Sequence, residues 1–152
     1  MNWDAISAFG EVVGAVAVVV TLLFIARDIR QNSKSLAMSA LRDTTAQWNQ
    51  WSDMIASSGD LADIVAKGNK DYAHLSESEK LRYGAYIQSF FDNAESYRVL
   101  VTDYKAEKDL SVLTSIVSRR IVIPGFSAWW LENNSDYGPE FVAWIEGLRS
   151  DT

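Results

Sequence analysis

The stretch Ala5-Ile6-Ser7-Ala8-Phe9-Gly10-Glu11-Val12-Val13-Gly14-Ala15-Val16-Ala17-Val18-Val19-Val20-Thr21-Leu22-Leu23-Phe24-Ile25-Ala26 decides how the chain is built. It is 22 residues long and carries one formal charge, Glu11. An α-helix rises about 1.5 Å per residue, so about 20 residues cross a hydrocarbon core of about 30 Å. Two other readings of such a run fare worse. A cleaved signal peptide needs a basic leader and a small-x-small cleavage site. Here the leader Met1-Asn2-Trp3-Asp4 is acidic, and Arg27-Asp28-Ile29-Arg30 follows without a cleavage pattern. A buried core helix is the second alternative, and the Val-rich, nearly charge-free run speaks against it. The residues point to a transmembrane helix over 1–26.

Charge bias orients it. No Lys or Arg precedes the run, whereas Arg27, Arg30, Lys34 and Arg42 follow it. The positive-inside rule then places the N-terminus outside and the bulk of the chain in the cytoplasm. Trp3 falls at the outer interface, and Arg27, Arg30 and Lys34 fall at the anionic headgroups. A general headgroup contact is the simpler reading of these cations; a specific lipid site is the sharper one.

The polar residues of the run are sorted. Ser7, Glu11, Gly14, Val18, Thr21, Ile25 and Asp28 share one helix face. Gly10 and Gly14 form a GxxxG, extended by Ala17 and Thr21. Small residues let helices approach closely in lipid, and an acid in a span turns toward protein or water. Ser7, Gly10, Glu11, Gly14, Ala17, Val18 and Thr21 are therefore the candidate residues of an oligomer interface or a pore. The bland alternative is that Glu11, close to the outer end, snorkels to the headgroups.

No Pro or Gly occurs between Ala15 and Ser58, so the span is expected to run on as a juxtamembrane extension over 27–58. An unbroken helix over 5–58 would be about 80 Å long. Gly59 reads as a stop and Asp60 as the N-cap of a short helix ending at Lys67, with residues 68–72 a loop. His74 is the one histidine, so a surface or capping contact suits it better than metal ligation.

The remainder, 59–152, reads as a cytosolic helical domain. Ser76-Glu77-Ser78-Glu79 is a capping box. Tyr83, Ile87, Phe90, Ala94, Tyr97, Val101 and Tyr104 then step by four and three, an apolar seam of a long helix. Asp92 and Glu95 are neighbours on it, and Arg98 is placed to pair with Glu95. Asp109 reads as the cap of a helix carrying Leu110, Leu113, Ile116, Val117 and Ile121, which Pro124-Gly125 ends. Phe126, Trp129, Trp130 and Leu131 form a short helix closing at Asn133-Asn134. One of Trp129 and Trp130 is expected in the core and the other toward a neighbouring subunit or lipid. Pro139 starts the last helix, with Phe141, Val142, Ile145 and Leu148 inward.

The fold class is thus all-α: one N-terminal transmembrane helix continuing into a long cytosolic helix, packed with a C-terminal helical bundle. Composition then removes whole classes of function. Glu11 and Asp4 are the only charges before residue 27, which leaves 18 acids against 14 bases beyond it. That net −4 argues against nucleic-acid binding. There is no cysteine, hence no disulfide, thiolate metal site or thiol nucleophile. No Gly-rich phosphate loop, G-x-S-x-G or metal-ligand spacing occurs, so no catalytic residue, cofactor or metal is assigned and the chain is not read as an enzyme.

Two segments carry a resemblance. Gly10-Glu11-Val12-Val13-Gly14-Ala15-Val16-Ala17-Val18-Val19-Val20-Thr21-Leu22, running into Ile29-Arg30-Gln31-Asn32-Ser33, resembles the start of a family of small bacterial membrane proteins with a GEIVGAIAVVVTL span and an IRQNT-like exit. Near their C-termini these carry PGxxAWW and then SPEFVA. Here the counterparts are Pro124-Gly125-Phe126-Ser127-Ala128-Trp129-Trp130 and Tyr137-Gly138-Pro139-Glu140-Phe141-Val142-Ala143. Phe126 stands where a glycine is common, which weakens the case for a tight backbone approach there. Gly138 stands where a serine often caps the last helix. The resemblance implies a bacterial inner-membrane protein with one span and a helical cytosolic domain, and it implies no activity.

The function expected from these residues is a membrane-anchored, homo-oligomeric interaction or scaffold protein, with the bilayer and further copies of itself as partners. The same architecture could instead form an ion or proton channel with Glu11 lining the axis. A third class is a monotopic partner subunit of a larger complex, which would stay monomeric when purified.

Overall fold

The computed structural model describes residues 3–103 and 107–150. They form α1 (Trp3–Ala56), α2 (Gly59–Lys70), α3 (Glu77–Asp103), α4 (Glu107–Ile121), α5 (Pro124–Asn133), a 3-10 turn (Asn134–Asp136) and α6 (Pro139–Ser150). No strand occurs among the described residues, so the chain is all-α as its periodicity implies. It divides into two compact units, Met1–Leu41 and Arg42–Thr152, and the boundary falls inside α1. Tyr104, expected at the end of the α3 seam, and the side chains of Trp3 and Ser7 lie outside the described residues.

The second unit is a bundle assembled around α3. Tyr83, Ile87, Phe90, Ala94 and Val101 are buried along the expected seam. Tyr86, Phe91 and Asn93 are buried as well, because α3 is covered on more than one side. The last turns of α1 supply one cover. Trp51 lies flat on Tyr86 at 4.8 Å and donates its indole N–H to the Tyr86 carbonyl at 2.9 Å. Trp48 meets the Phe90 ring edge-on at 5.5 Å, and the Arg120 guanidinium sits 5.4 Å over Trp51. Fully burying one such aromatic contributes about 1.5–3 kcal/mol, so this end of α1 is held firmly to the bundle. Trp51 presses on Tyr86 while burial pushes the Tyr86 phenol up to about 12.

Several local expectations shift. The N-cap of α2 is Ser58, whose hydroxyl accepts from the Leu61 amide, and Asp60 lies in the first turn instead. The helix runs on through Lys70, so Gly68 is an interior residue and not the start of a loop. Its lack of a side chain is used in packing: a Cβ there would lie 2.6 Å from the Tyr83 ring. Gly125 is tighter still, since a Cβ would collide with the Gly68 carbonyl and the Tyr83 hydroxyl. The close backbone approach that Phe126 put in question is therefore present, and Gly125 carries it. Helix α4 starts at Glu107, which puts Asp109 within the first turn, where its charge opposes the helix dipole favourably.

Both Trp129 and Trp130 are buried, contrary to the expectation of one inside and one outside. Consecutive helix positions point about 100° apart, and α5 is short enough for neighbours to cover both directions. Trp130 packs on Phe91 and Phe141 and donates to Glu146 Oε1 at 2.8 Å. Trp129 stacks parallel to the same Phe91 ring at 5.8 Å and reaches Gly84 of α3. The expected Glu95–Arg98 pair is likewise replaced. Glu95 Oε1 accepts from the Gly138 amide at 3.1 Å, capping α6 from outside, and Arg98 lies 5.5 Å over the Trp144 ring.

The capping box stands as read, with an addition. Glu79 accepts from the Ser76 amide and hydroxyl, each at 2.7 Å, and from Lys67 Nζ at 2.9 Å. The Lys67 bond first, then the two Ser76 bonds, hold the Glu79 carboxyl down to about 2, against an ordinary value of 4.5. The folded chain thus binds this proton less readily than the unfolded one. The contact stabilises above pH 4.5 and is lost as the pH falls toward about 2. Glu79→Gln is expected to flatten the fall of the bundle's unfolding midpoint between pH 5 and pH 2. Thermal melts across that interval check it; an unchanged slope contradicts it.

Candidate functional site

The first unit is the part of α1 up to Leu41. Its large apolar residues from Phe9 to Ile29 are exposed: Phe9 is 71 % exposed, Leu23 66 % and Phe24 63 %. The mean hydropathy of the most apolar 18-residue window is 2.4, and none of that window is buried. This helix is long and apolar enough to cross a membrane. The pair α4–α5, bent by 99°, is also long and apolar enough when taken together, but its apolar side chains Leu113, Val117, Ile121, Phe126 and Trp130 are core residues of the bundle.

Helix geometry distributes the α1 side chains unevenly. At about 100° per residue, Gly10, Glu11, Gly14, Ala17, Val18 and Thr21 fall within an arc of about 120°. The backbone at Ser7 is on the same arc. Phe9, Val12, Val16, Val19, Val20 and Leu23 occupy the opposite side. Arg27, Arg30 and Lys34 project on that opposite side as well, in line with the large apolar residues and away from Glu11. All three are exposed, and no ion pair to them occurs among the described residues. A Cβ at Gly10 or Gly14 would meet nothing within 4 Å, so both glycines leave open helix surface. Thr21 Oγ1 donates to the Ala17 carbonyl at 2.8 Å, which satisfies its hydroxyl within the helix. Within the apolar run Glu11 is the one ionisable group on the small-residue side, and Asp28 lies on that side just beyond the run.

The arrangement can do two things chemically. The large apolar side suits hydrocarbon, with three cations at one end suited to headgroup phosphates. The narrow side suits another helix, because small residues allow close approach and a carboxylate gains from a partner there. Elsewhere, no cluster of three or more His, Cys, Asp or Glu able to hold a metal occurs among the described residues. His74 Nδ1 contacts Asp71 Oδ2 at 2.6 Å, and Asp71 Oδ1 accepts from the Ala73 and His74 amides, closing the turn after α2.

One feature of the bundle escaped the sequence reading: a groove between α3 and α5 with Gly84, Ala85 and Trp129 in its lining. The available signal was Gly84, a glycine inside a strongly helical run, which often marks a close approach. Comparison with protein-family models, with curated proteins and with solved structures finds no match to this chain.

Proposed function

We propose that the chain is a single-span protein of a bacterial inner membrane, with its N-terminus outside and its bundle in the cytoplasm, which self-associates as an interaction scaffold. The observation that carries this is the sorting of α1: an exposed apolar helix on which Arg27, Arg30, Lys34 and most of the large residues share one side, while Glu11, Gly14 and Thr21 share the other. Lipid on the first side and a second copy on the second would satisfy every group on the helix surface. The bundle then supplies the partner-facing surface.

The test is oligomeric state in nanodiscs or mild detergent. Gly14→Leu is expected to weaken self-association about tenfold, because leucine there blocks the close approach that small residues allow. Val16→Leu, on the opposite side, is expected to leave it unchanged. A monomeric wild type would sink the reading and favour a subunit of a larger complex.

A second reading rests on Glu11 alone. If the copies leave a wet axis, the carboxylates form a ring that cations or protons would cross. Reconstituted vesicles separate the two: conductance lost in Glu11→Gln with oligomer size unchanged favours the pathway, and absence of conductance in both favours the sealed scaffold.

A further inference from the structure

The groove between α3 and α5 has a volume of about 470 Å³, within the range of sites that hold small ligands or short peptide segments. Its floor is Gly84 and Ala85 of α3 and the edge of Trp129 of α5. Trp129 is only 5 % exposed, and its indole N–H, which donates to no group among the described residues, opens on the groove. Buried tryptophans ordinarily find an acceptor. Trp51 and Trp130 do so here, donating to the Tyr86 carbonyl at 2.9 Å and to Glu146 at 2.8 Å. Trp129 Nε1 lies over Gly84 instead, where a Cβ would come within 3.1 Å of it. An acceptor that enters the groove can reach it.

The walls say what else such a guest would carry. Leu81 stands on one rim, 77 % exposed. At one end Glu77 and Glu132 flank Tyr72 and Lys80. The Lys80 ammonium sits 5.8 Å over the Tyr72 ring and 3.7 Å from Glu77, so the chain already places one alkylammonium against this wall. The groove's lining holds two carboxylates and one cation; the Glu77 side chain is 93 % exposed, and Glu132 also borders an adjoining recess with Lys70. The end of the groove is therefore left with negative charge to match.

We propose that this groove binds a short basic peptide segment of a partner protein. A backbone carbonyl of the segment accepts from Trp129 Nε1. An apolar side chain lies on Gly84 beside Leu81. A lysine or arginine reaches Glu77 and Glu132, where charge complementarity selects against acidic segments. The site lies wholly within the bundle and stands whether or not the span self-associates.

The full-length ¹⁵N-labelled protein in detergent micelles, titrated with acetyl-Leu-Ala-Lys-Ala-amide, tests it. The Trp129 indole N–H resonance, identified by its loss in Trp129→Phe, is expected to shift saturably. Replacing the peptide's lysine by norleucine is expected to weaken binding about tenfold. Glu132→Gln, an isosteric change at the groove's edge, is expected to weaken the lysine peptide about fivefold. Gly84→Leu is expected to abolish the shift by filling the floor. The proposal is overturned if the indole resonance stays fixed at millimolar peptide. It is overturned equally if the norleucine peptide binds as well, or if butylamine alone gives the full response.

Discussion

Gly125→Ala is expected to destabilise the bundle by about 3 kcal/mol or more, at the upper end of what one added methyl costs. The added Cβ would overlap the Gly68 carbonyl and the Tyr83 hydroxyl. Neither neighbour can step aside cheaply. The carbonyl is backbone inside α2, and the Tyr83 hydroxyl donates to Asn69 Oδ1 at 2.8 Å. Tyr83 itself is fully buried, and burial pushes its phenol well above the ordinary tyrosine range. Relief therefore means separating α5 from α2, which loosens Phe126 and Trp130 with it. For a unit of this size, the melting midpoint should fall by about 15 °C or more. Gly147→Ala supplies the contrast. Gly147 lies inside α6 with nothing within 4 Å of a Cβ, so alanine there should stabilise by about 0.5–1 kcal/mol through helix propensity. Melts of the full chain followed by tryptophan emission check both, and a Gly125→Ala midpoint within 3 °C of wild type would contradict the crossing described.

The contrast between these glycines also marks how far the residues alone could be read. Signals encoded within a few positions were legible: the Ser76–Glu79 box, Pro139 at the start of α6, the Tyr83–Val101 seam and the apolar run of α1. Gly68 was not, because glycine after a short apolar helix has the same local appearance whether it ends the helix or lets another backbone in. Only α5, far along the chain, decides between them. The same holds for Glu95, whose nearest cation in sequence is Arg98 but whose carboxylate is taken by the Gly138 amide. Trp129 and Trp130 illustrate the limit from the other side. Adjacent helix positions diverge, so a single buried face admits one of them. That both are buried depends on how many elements surround α5, which no local pattern records. The groove follows from this too, since its Trp129 floor exists only because the ring is drawn inward beside Gly84.

Two aspartates in the large-residue side of α1, Val16→Asp with Val19→Asp, are expected to release the protein from the membrane. A carboxylate near the centre of a span raises the insertion free energy by about 2.5–3.5 kcal/mol, so two together cost about 5–7 kcal/mol. That exceeds what the remaining apolar residues recover, because Glu11 already taxes the same helix. Both valines lie on the side opposite Glu11, so neither aspartate can shelter in a helix–helix contact of the kind proposed. The control is Leu131→Asp, a 58 % exposed position on α5, which should leave membrane retention unchanged. Fractionation followed by an alkaline wash measures the outcome. The experiment also discriminates between the two apolar stretches of the chain. If α4 and α5 together crossed the bilayer as a broken span, the double variant would stay in the membrane pellet. Their apolar residues are instead the interior of the bundle, packed on Tyr86, Phe91 and Phe141. Release of a folded, soluble bundle is thus the expected result, and retention after the wash would place the anchor outside α1.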